Sequence, residues 1–166
     1  NVAENAGGPM CFRHGTTSNP LRQVKVVLAD GRVETWGHPA HGCNDYDLRG
    51  LFCGSEGSLA IALELHLNLT PLPQAVRTSL ASFATIESAC ECVSEIVKRG
   101  IEAAALEVMD QRAIHAVEDS IYRSGLPRDV GAVLLVEIEG DNNHVDSQQK
   151  LAARCFADNN AINVEM

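Results

Sequence analysis

From Leu59 to Thr70 the chain alternates. Leu59, Ile61, Leu63, Leu65, Leu67 and Leu69 fall on one side, and Glu64, His66, Asn68 and Thr70 on the other. Period two over that length is the pleat of a β-strand and requires a sheet with an apolar face in this half of the chain. Pro71-Leu72-Pro73 stops it, because proline has no N–H to give a ladder. That stop is the expected boundary between two domains, residues 1–73 and 74–166.

Upstream of the boundary the elements are short. Residues 1–20 are glycine-rich and polar, which predicts loop with one helical turn. Leu21 to Ala29 reads as a strand with Val24, Val26 and Leu28 on one face, and Asp30-Gly31 as a two-residue hairpin turn into Arg32–Trp36. Gly37 to Asp45 is a loop. Asp47 is placed to cap a short helix, Leu48–Phe52. Then comes a glycine-bracketed loop, Gly54-Ser55-Glu56-Gly57-Ser58, which feeds the alternating strand.

Downstream the rhythm changes. Strands are expected at Val76–Phe83, Ala104–Met109, Gly131–Ile138 (a near-continuous apolar run, hence central) and Ala161–Glu165. Helical spacing separates them. Ile86, Ala89, Cys90, Val93, Ile96 and Val97 form one stripe, ended by Gly100. Ile114, Val117 and Ile121 form a second, capped by Asp110. Val145, Gln148, Ala152, Cys155 and Phe156 form a third, capped by Asn142 or Asn143. Alternating strands and helices predict an α+β layer, helices over one sheet face, in a split βαβ, ferredoxin-like arrangement.

Composition removes several function classes. The formal net charge of −9 argues against a nucleic-acid surface and an anionic membrane patch, and 4% aromatic residues leave little for base stacking. No apolar run approaches the ~20 residues of a spanning helix. The six cysteines, Cys11, Cys43, Cys53, Cys90, Cys92 and Cys155, make no C-x-x-C pair and are expected as free thiols in a reducing, cytoplasmic compartment. The first residues, Asn1-Val2-Ala3-Glu4, and the last, Asn163 to Met166, read as cut points within a longer protein.

Two loops hold the candidate chemistry. In the second, the N–H groups of Gly57, Ser58 and Leu59 are placed to meet a phosphate or ring oxygen, and Glu56 a ribose or ring nitrogen. The same spacing also suits a tight connection between a short helix and a buried strand. In the first, Ala3-Glu4-Asn5-Ala6-Gly7-Gly8, small residues allow a flat ligand to approach and Asn5 offers donor and acceptor; an irregular loop is the alternative. Arg13 and His14 lie beside it, within reach of phosphates or simply solvated. His38, His41 and Cys43 lack a fourth ligand for structural zinc. His66, His115 and His144 fall on strand or helix surfaces. Cys90 fits the buried stripe of its helix and Cys92 does not. Cys53 has no base placed to activate it.

Four ordered motifs carry a resemblance: N-V-A-E-N-A-G-G-P at Asn1–Pro9, V-V-L-A-D-G at Val26–Gly31, Y-D-L-R-G-L-F at Tyr46–Phe52 and G-S-E-G-S-L-A-I at Gly54–Ile61. P-L-P-Q-A-V-R-T at Pro71–Thr78 and A-L-E-V-M-D at Ala105–Asp110 continue it. The chain resembles the FAD-linked oxidases of the vanillyl-alcohol-oxidase superfamily, near the FAD subunit of glycolate oxidase and FAD-linked D-lactate dehydrogenase.

The resemblance implies that residues 1–73 are the latter part of a PCMH-type FAD-binding domain and 74–166 the start of a ferredoxin-like cap domain. It implies FAD as cofactor, with Glu4, Asn5, Ala6, Gly7, Gly8, Glu56, Gly57, Ser58, Leu59 and Ile61 at cofactor-contacting positions. It implies oxidation of a small 2-hydroxy acid to the 2-oxo acid by hydride transfer to flavin, with an electron acceptor or partner subunit and peripheral attachment to the inner membrane through such subunits. No catalytic residue of the family falls within 1–166, so the piece alone is expected to be inactive. Ser58, Ala60 and Asp45 depart from the family's usual threonine, glycine and glycine, and the Ala60 methyl is expected to crowd the flavin. A truncated or degenerate module without flavin is the alternative. Open sheet edges predict homo-oligomerisation.

Overall fold

The computed structural model describes residues 1–38, 40 and 46–166. The chain divides at the proline stop into two compact units, Asn1–Leu72 and Pro73–Met166.

The first unit is a three-stranded antiparallel sheet, β1 (Leu21–Val27), β2 (Val33–Gly37) and β3 (Ile61–Leu67), in the order β2-β1-β3. Two short helices accompany it, α1 (Cys11–His14) and α2 (Leu48–Phe52). The β1–β2 turn differs from the expected two-residue form. Leu28 and Arg32 still pair, with the Leu28 N–H donating to the Arg32 carbonyl, so Ala29, Asp30 and Gly31 together make the connection. Asp30 Oδ1 accepts from the Arg32 N–H at 3.1 Å and closes it.

Asp47 caps α2, its carboxylate accepting from the Gly50 N–H at 2.8 Å. The helix is tied to β1 through Arg49, whose guanidinium donates to the Leu21 carbonyl. Phe52 thereby reaches a small core with Val2, Leu21, Val24, Val26 and Ala60, and meets Trp36 edge-on at 6.1 Å between ring centroids. The alternation at β3 does form a strand, but the strand is not buried: Ile61 to Leu67 are all exposed. Leu63 and Leu65 remain 52% and 42% exposed. The short helix and the N-terminal segment pack their apolar residues on β1, so β3, at the edge of the sheet, presents a bare apolar row.

The second unit is a four-stranded antiparallel sheet in the order β5-β6-β4-β7, formed by β4 (Ala75–Phe83), β5 (Ala103–Asp110), β6 (Ala132–Gly140) and β7 (Asn163–Glu165). β6 pairs antiparallel with both β4 and β5, so those two run parallel with β6 between them: a split βαβ unit with β6 central. Helices α3 (Ile86–Lys98) and α5 (Asn142–Asp158) cover one face, packing Ala89, Cys92, Ile96, Val145, Ala152, Cys155 and Phe156 on Ala81, Phe83, Leu134, Val136 and Ile138.

Four expectations are corrected here. The helices do not all share a face. α4 (Gln111–Glu118) sends Ile114 into a separate cluster with Val133 and Leu80, which by strand alternation lie on the other side of the sheet. Ile121 lies beyond the end of α4 and is exposed. In α3 it is Cys92 that is buried and Cys90 that is exposed, because the inward face is centred on Ala89, Cys92 and Ile96. The α5 cap is Asp141, not Asn142 or Asn143; its carboxylate accepts from the His144 N–H at 3.0 Å.

Candidate functional site

The two glycine loops named from sequence lie against each other. The Gly54 N–H donates to the Val2 carbonyl at 3.0 Å, and the Glu56 N–H to the Ala3 carbonyl at 2.8 Å. Within the first loop, Asn5 and Ala6 donate back to Val2 and Asn1. Thr17 fastens it from behind, its N–H and Oγ1 both donating to the Ala6 carbonyl. The connection is backbone to backbone, so residues some fifty positions apart form one wall. Val2 and Ala60 bury apolar side chains beneath it in the core of the first unit.

At the centre of this wall Asn5 and Glu56 both adopt left-handed backbone, with φ of 52° and 50°. Asparagine visits this region readily, but at Glu56 the conformation costs of order 1–2 kcal/mol relative to right-handed geometry. Ser55 adds a second local cost, because its hydroxyl oxygen is buried and has no hydrogen-bond partner.

The amides divide cleanly. The Ser58 N–H, expected to face a ligand, instead donates to the Ser55 carbonyl at 2.9 Å, and the Ser58 hydroxyl donates to the same oxygen at 2.6 Å. The Gly7, Gly8, Gly57 and Leu59 N–H groups have no protein partner among the described residues. In front of Gly8 and Gly57 a Cβ would meet nothing within 4 Å. Free amides beside open space are what an anionic or ring-oxygen ligand requires. Glu4 and Glu56 are exposed alongside them, and Leu59 and Ile61 stand exposed where the loop enters β3. Ala6 is half-buried.

Ala60 does not stand in that space. It is 5% exposed and belongs to the core cluster beneath the wall, which removes the expectation that its methyl crowds a ligand. Cys53 is no nucleophile. Burial, against the opposing pull of Arg49 and the N-terminal charge, holds its thiol above the ordinary value, and its Sγ donates to Asn5 Oδ1 at 3.5 Å. Arg13 and His14 sit on α1, exposed. His38 is described and its Nδ1 accepts from the Ala40 N–H, whereas His41, Cys43 and Asp45 lie outside the described residues. His115 bonds the Arg128 carbonyl and His144 lies 3.6 Å from Glu102, so both serve unit-two packing. A concavity of about 680 Å³ along α3 and the end of α5 is lined by second-unit residues and crossed by the Arg99 pairs to Glu95 and Asp158.

What sequence reasoning missed is the tie between the loops, made by the Val2 and Ala3 carbonyls, and the burial of the Ser55 hydroxyl. No side-chain pattern announces the tie, since it is made by backbone oxygen.

Residues 72–166 match the family model described as FAD linked oxidases, C-terminal domain. The chain belongs to the FAD-linked oxidases. It is 41% identical to glycolate oxidase subunit GlcD of Escherichia coli over 87% of this chain and 29% of that protein. It is 38% identical to the subunit of the same name from Bacillus subtilis over 93% and 33%. Against a D-lactate dehydrogenase of Archaeoglobus fulgidus it is 32% identical over 83% and 31%. The chain thus spans about a third of the length of these curated relatives. Among solved structures, an alkyldihydroxyacetonephosphate synthase superposes with a TM-score of 0.73 at 16% identity, over 97% of this chain and 33% of that one. p-Cresol methylhydroxylase follows at 0.67 and 15%, over 88% and 34%. These two likenesses establish the mixed α/β fold. FAD is the cofactor that membership of the family implies. Among the described residues no helix is long and apolar enough to cross a membrane.

Proposed function

We propose that this FAD-linked oxidase chain contributes one wall of the flavin site in an oxidoreductase that converts a small 2-hydroxy acid, of the glycolate or D-lactate type, to the 2-oxo acid. The observation that carries the reading is the strained, backbone-stitched pair of loops with free amides at Gly7, Gly8, Gly57 and Leu59. The names of the relatives support the substrate class.

In this reading residues 1–73 are the latter part of the FAD-binding domain and 74–166 begin the cap domain. The residues present fit the cofactor: open space lies before Gly8 and Gly57, where backbone can approach a flat ring, whereas a Cβ on Gly7 would meet Cys11 Sγ at 3.0 Å. Gly57 and Leu59 donate their amides to it, Gly7 and Gly8 do the same from the first loop, and Glu4, Asn5, Ser58 and Ile61 border it. The Glu56 carboxylate accepts from a ribose hydroxyl or ring N–H. The chemistry the flavin supplies when bound is acceptance of a hydride from the carbon bearing the hydroxyl. The wall's own part is to hold the ring in one orientation and keep water from its covered edge. The groups that bind the substrate carboxylate and move its hydroxyl proton are assigned to parts of the protein outside residues 1–166, as are the electron acceptor and any membrane-associated partner subunit.

The test is spectroscopic. The full-length protein carrying this segment is expected to be yellow and to bleach on anaerobic addition of glycolate or D-lactate. A flavin spectrum that neither substrate bleaches sinks the substrate class. A colourless protein that takes up no FAD on titration sinks the cofactor role.

A further inference from the structure

One side chain joins three segments at the wall's centre. Asn5 Oδ1 accepts from the Ser18 N–H at 2.9 Å and from Cys53 Sγ at 3.5 Å. Both partners are donors, so the atom between them must be the amide oxygen rather than the nitrogen. The second loop comes close beside it, where a Cβ on Gly54 would lie 3.3 Å from the Asn5 Cβ. On one side of Asn5 the Ala3 carbonyl takes the Glu56 N–H; on the other the Ala6 carbonyl takes Thr17. The residue therefore sits where the first loop, the Thr16–Asn19 turn and the start of the second loop converge. Asparagine is among the few non-glycine types that tolerate the left-handed backbone found here.

We propose that Asn5 is a positioning residue: its side-chain oxygen, directed into the protein, fixes the register of the two glycine loops and with it the placement of the free amides. The consequence for the cofactor rests on the flavin reading given above; the register itself does not. The Cys53 thiol is the built-in reporter. It is half-buried and donates to this oxygen, so loosening the tie exposes it. Glycine at position 5 keeps the left-handed backbone and removes the oxygen, whereas aspartate keeps an acceptor there.

The experiment compares wild type, Asn5→Gly and Asn5→Asp in the 166-residue chain. It reads Cys53 alkylation by iodoacetamide through peptide mass spectrometry, amide exchange at Ser18, Gly54 and Glu56, and FAD titration. In Asn5→Gly, Cys53 is expected to react about fivefold faster, the change that loss of one hydrogen bond of roughly 1 kcal/mol produces. Exchange at all three amides rises with it, while amides of β6 are unaffected. Asn5→Asp stays within about twofold of wild type in alkylation, because its carboxylate still accepts. FAD binding weakens in Asn5→Gly and recovers in Asn5→Asp. Unchanged Cys53 reactivity and exchange in Asn5→Gly overturn the proposal. So does a Ser18 amide unprotected in the wild type, a reading that holds even if Asn5→Gly fails to fold. FAD bound equally by wild type and Asn5→Gly, with alkylation accelerated, overturns the consequence for the cofactor. A wild-type chain that takes up no FAD yet shows the expected alkylation and exchange pattern supports the register and moves the FAD comparison to the full-length protein, whose failure to take up FAD rejects the flavin reading instead.

Discussion

The Glu56 N–H donates to the carbonyl of Ala3 at 2.8 Å, across more than fifty residues of sequence. Glu56 makes that bond from a left-handed backbone that its side chain disfavours. The bond holds a carboxylate-bearing residue, next to Gly57, at the point where the second loop meets the first.

Replacing Glu56 with glycine separates strain from function. Glycine accepts φ near 50° without a Cβ penalty, so thermal stability of the chain rises by about 0.5–1 kcal/mol after allowing for glycine's greater unfolded-state freedom. If the carboxylate contacts cofactor, FAD affinity in the full-length protein falls in the same variant. Calorimetry and flavin titration read the two effects. A stability loss contradicts the assignment of strain.

Ser55→Ala and Ala60→Gly should move in opposite directions. Removing a buried hydroxyl that has no partner relieves an unmet desolvation cost of about 1–3 kcal/mol, so Ser55→Ala is neutral or stabilising in flavin-free protein. Ala60→Gly removes a core methyl and adds chain freedom, and costs about 1–2 kcal/mol. Urea midpoints at constant slope test both. A stabilised Ala60→Gly would return its methyl to the ligand side.

The second unit has its own pH signature. Burial beside Cys155 pushes the Cys92 thiol up to about 12, against an ordinary value of 9.0. The folded state thus holds a proton that the unfolded chain releases. The sign follows: this contribution to stability is complete below pH ~9 and is lost as pH rises toward ~12. Denaturation midpoints across that window should fall less steeply in Cys92→Ala than in wild type, and native Cys92 should resist alkylation at neutral pH while exposed Cys90 reacts. Equal reactivity of the two refutes the burial.

The exposed row on β3 predicts association. Leu63, Leu65 and Leu67 lie on an edge strand, half-exposed, on a scale that isolated domains seldom leave bare. Leu65→Lys in the 166-residue chain should lower the self-associated fraction in analytical ultracentrifugation. No change would place any association elsewhere.

How legible all this was depended on what each signal encodes. Alternation marked β3 because it reports which side chains share a face. It could not report that the face is bare, since nothing in Leu59–Leu69 says what lies opposite. Helical spacing found α3, but five apolar positions spread too widely to tell Cys90 from Cys92, and packing on Phe83 and Leu134 decided. The same spacing gave α4 an inward residue, Ile114, without saying which side of the sheet it enters. At α5, Asp141 and two asparagines are all capable caps, and the end of β6 at Gly140 selects the first. The glycine loops were legible one at a time. Their union was not, because it is made by the carbonyls of Val2 and Ala3, which every residue type possesses.

The central claim is that the Ala3–Glu56 wall faces the flavin, and backbone amide resonances test it most directly. On addition of FAD to the isotopically labelled 166-residue chain, saturable shifts are expected at Gly7, Gly8, Gly57 and Leu59, with β6 resonances unmoved. Saturable shifts confined to the second unit, or none at any FAD concentration that loads the full-length protein, would contradict it.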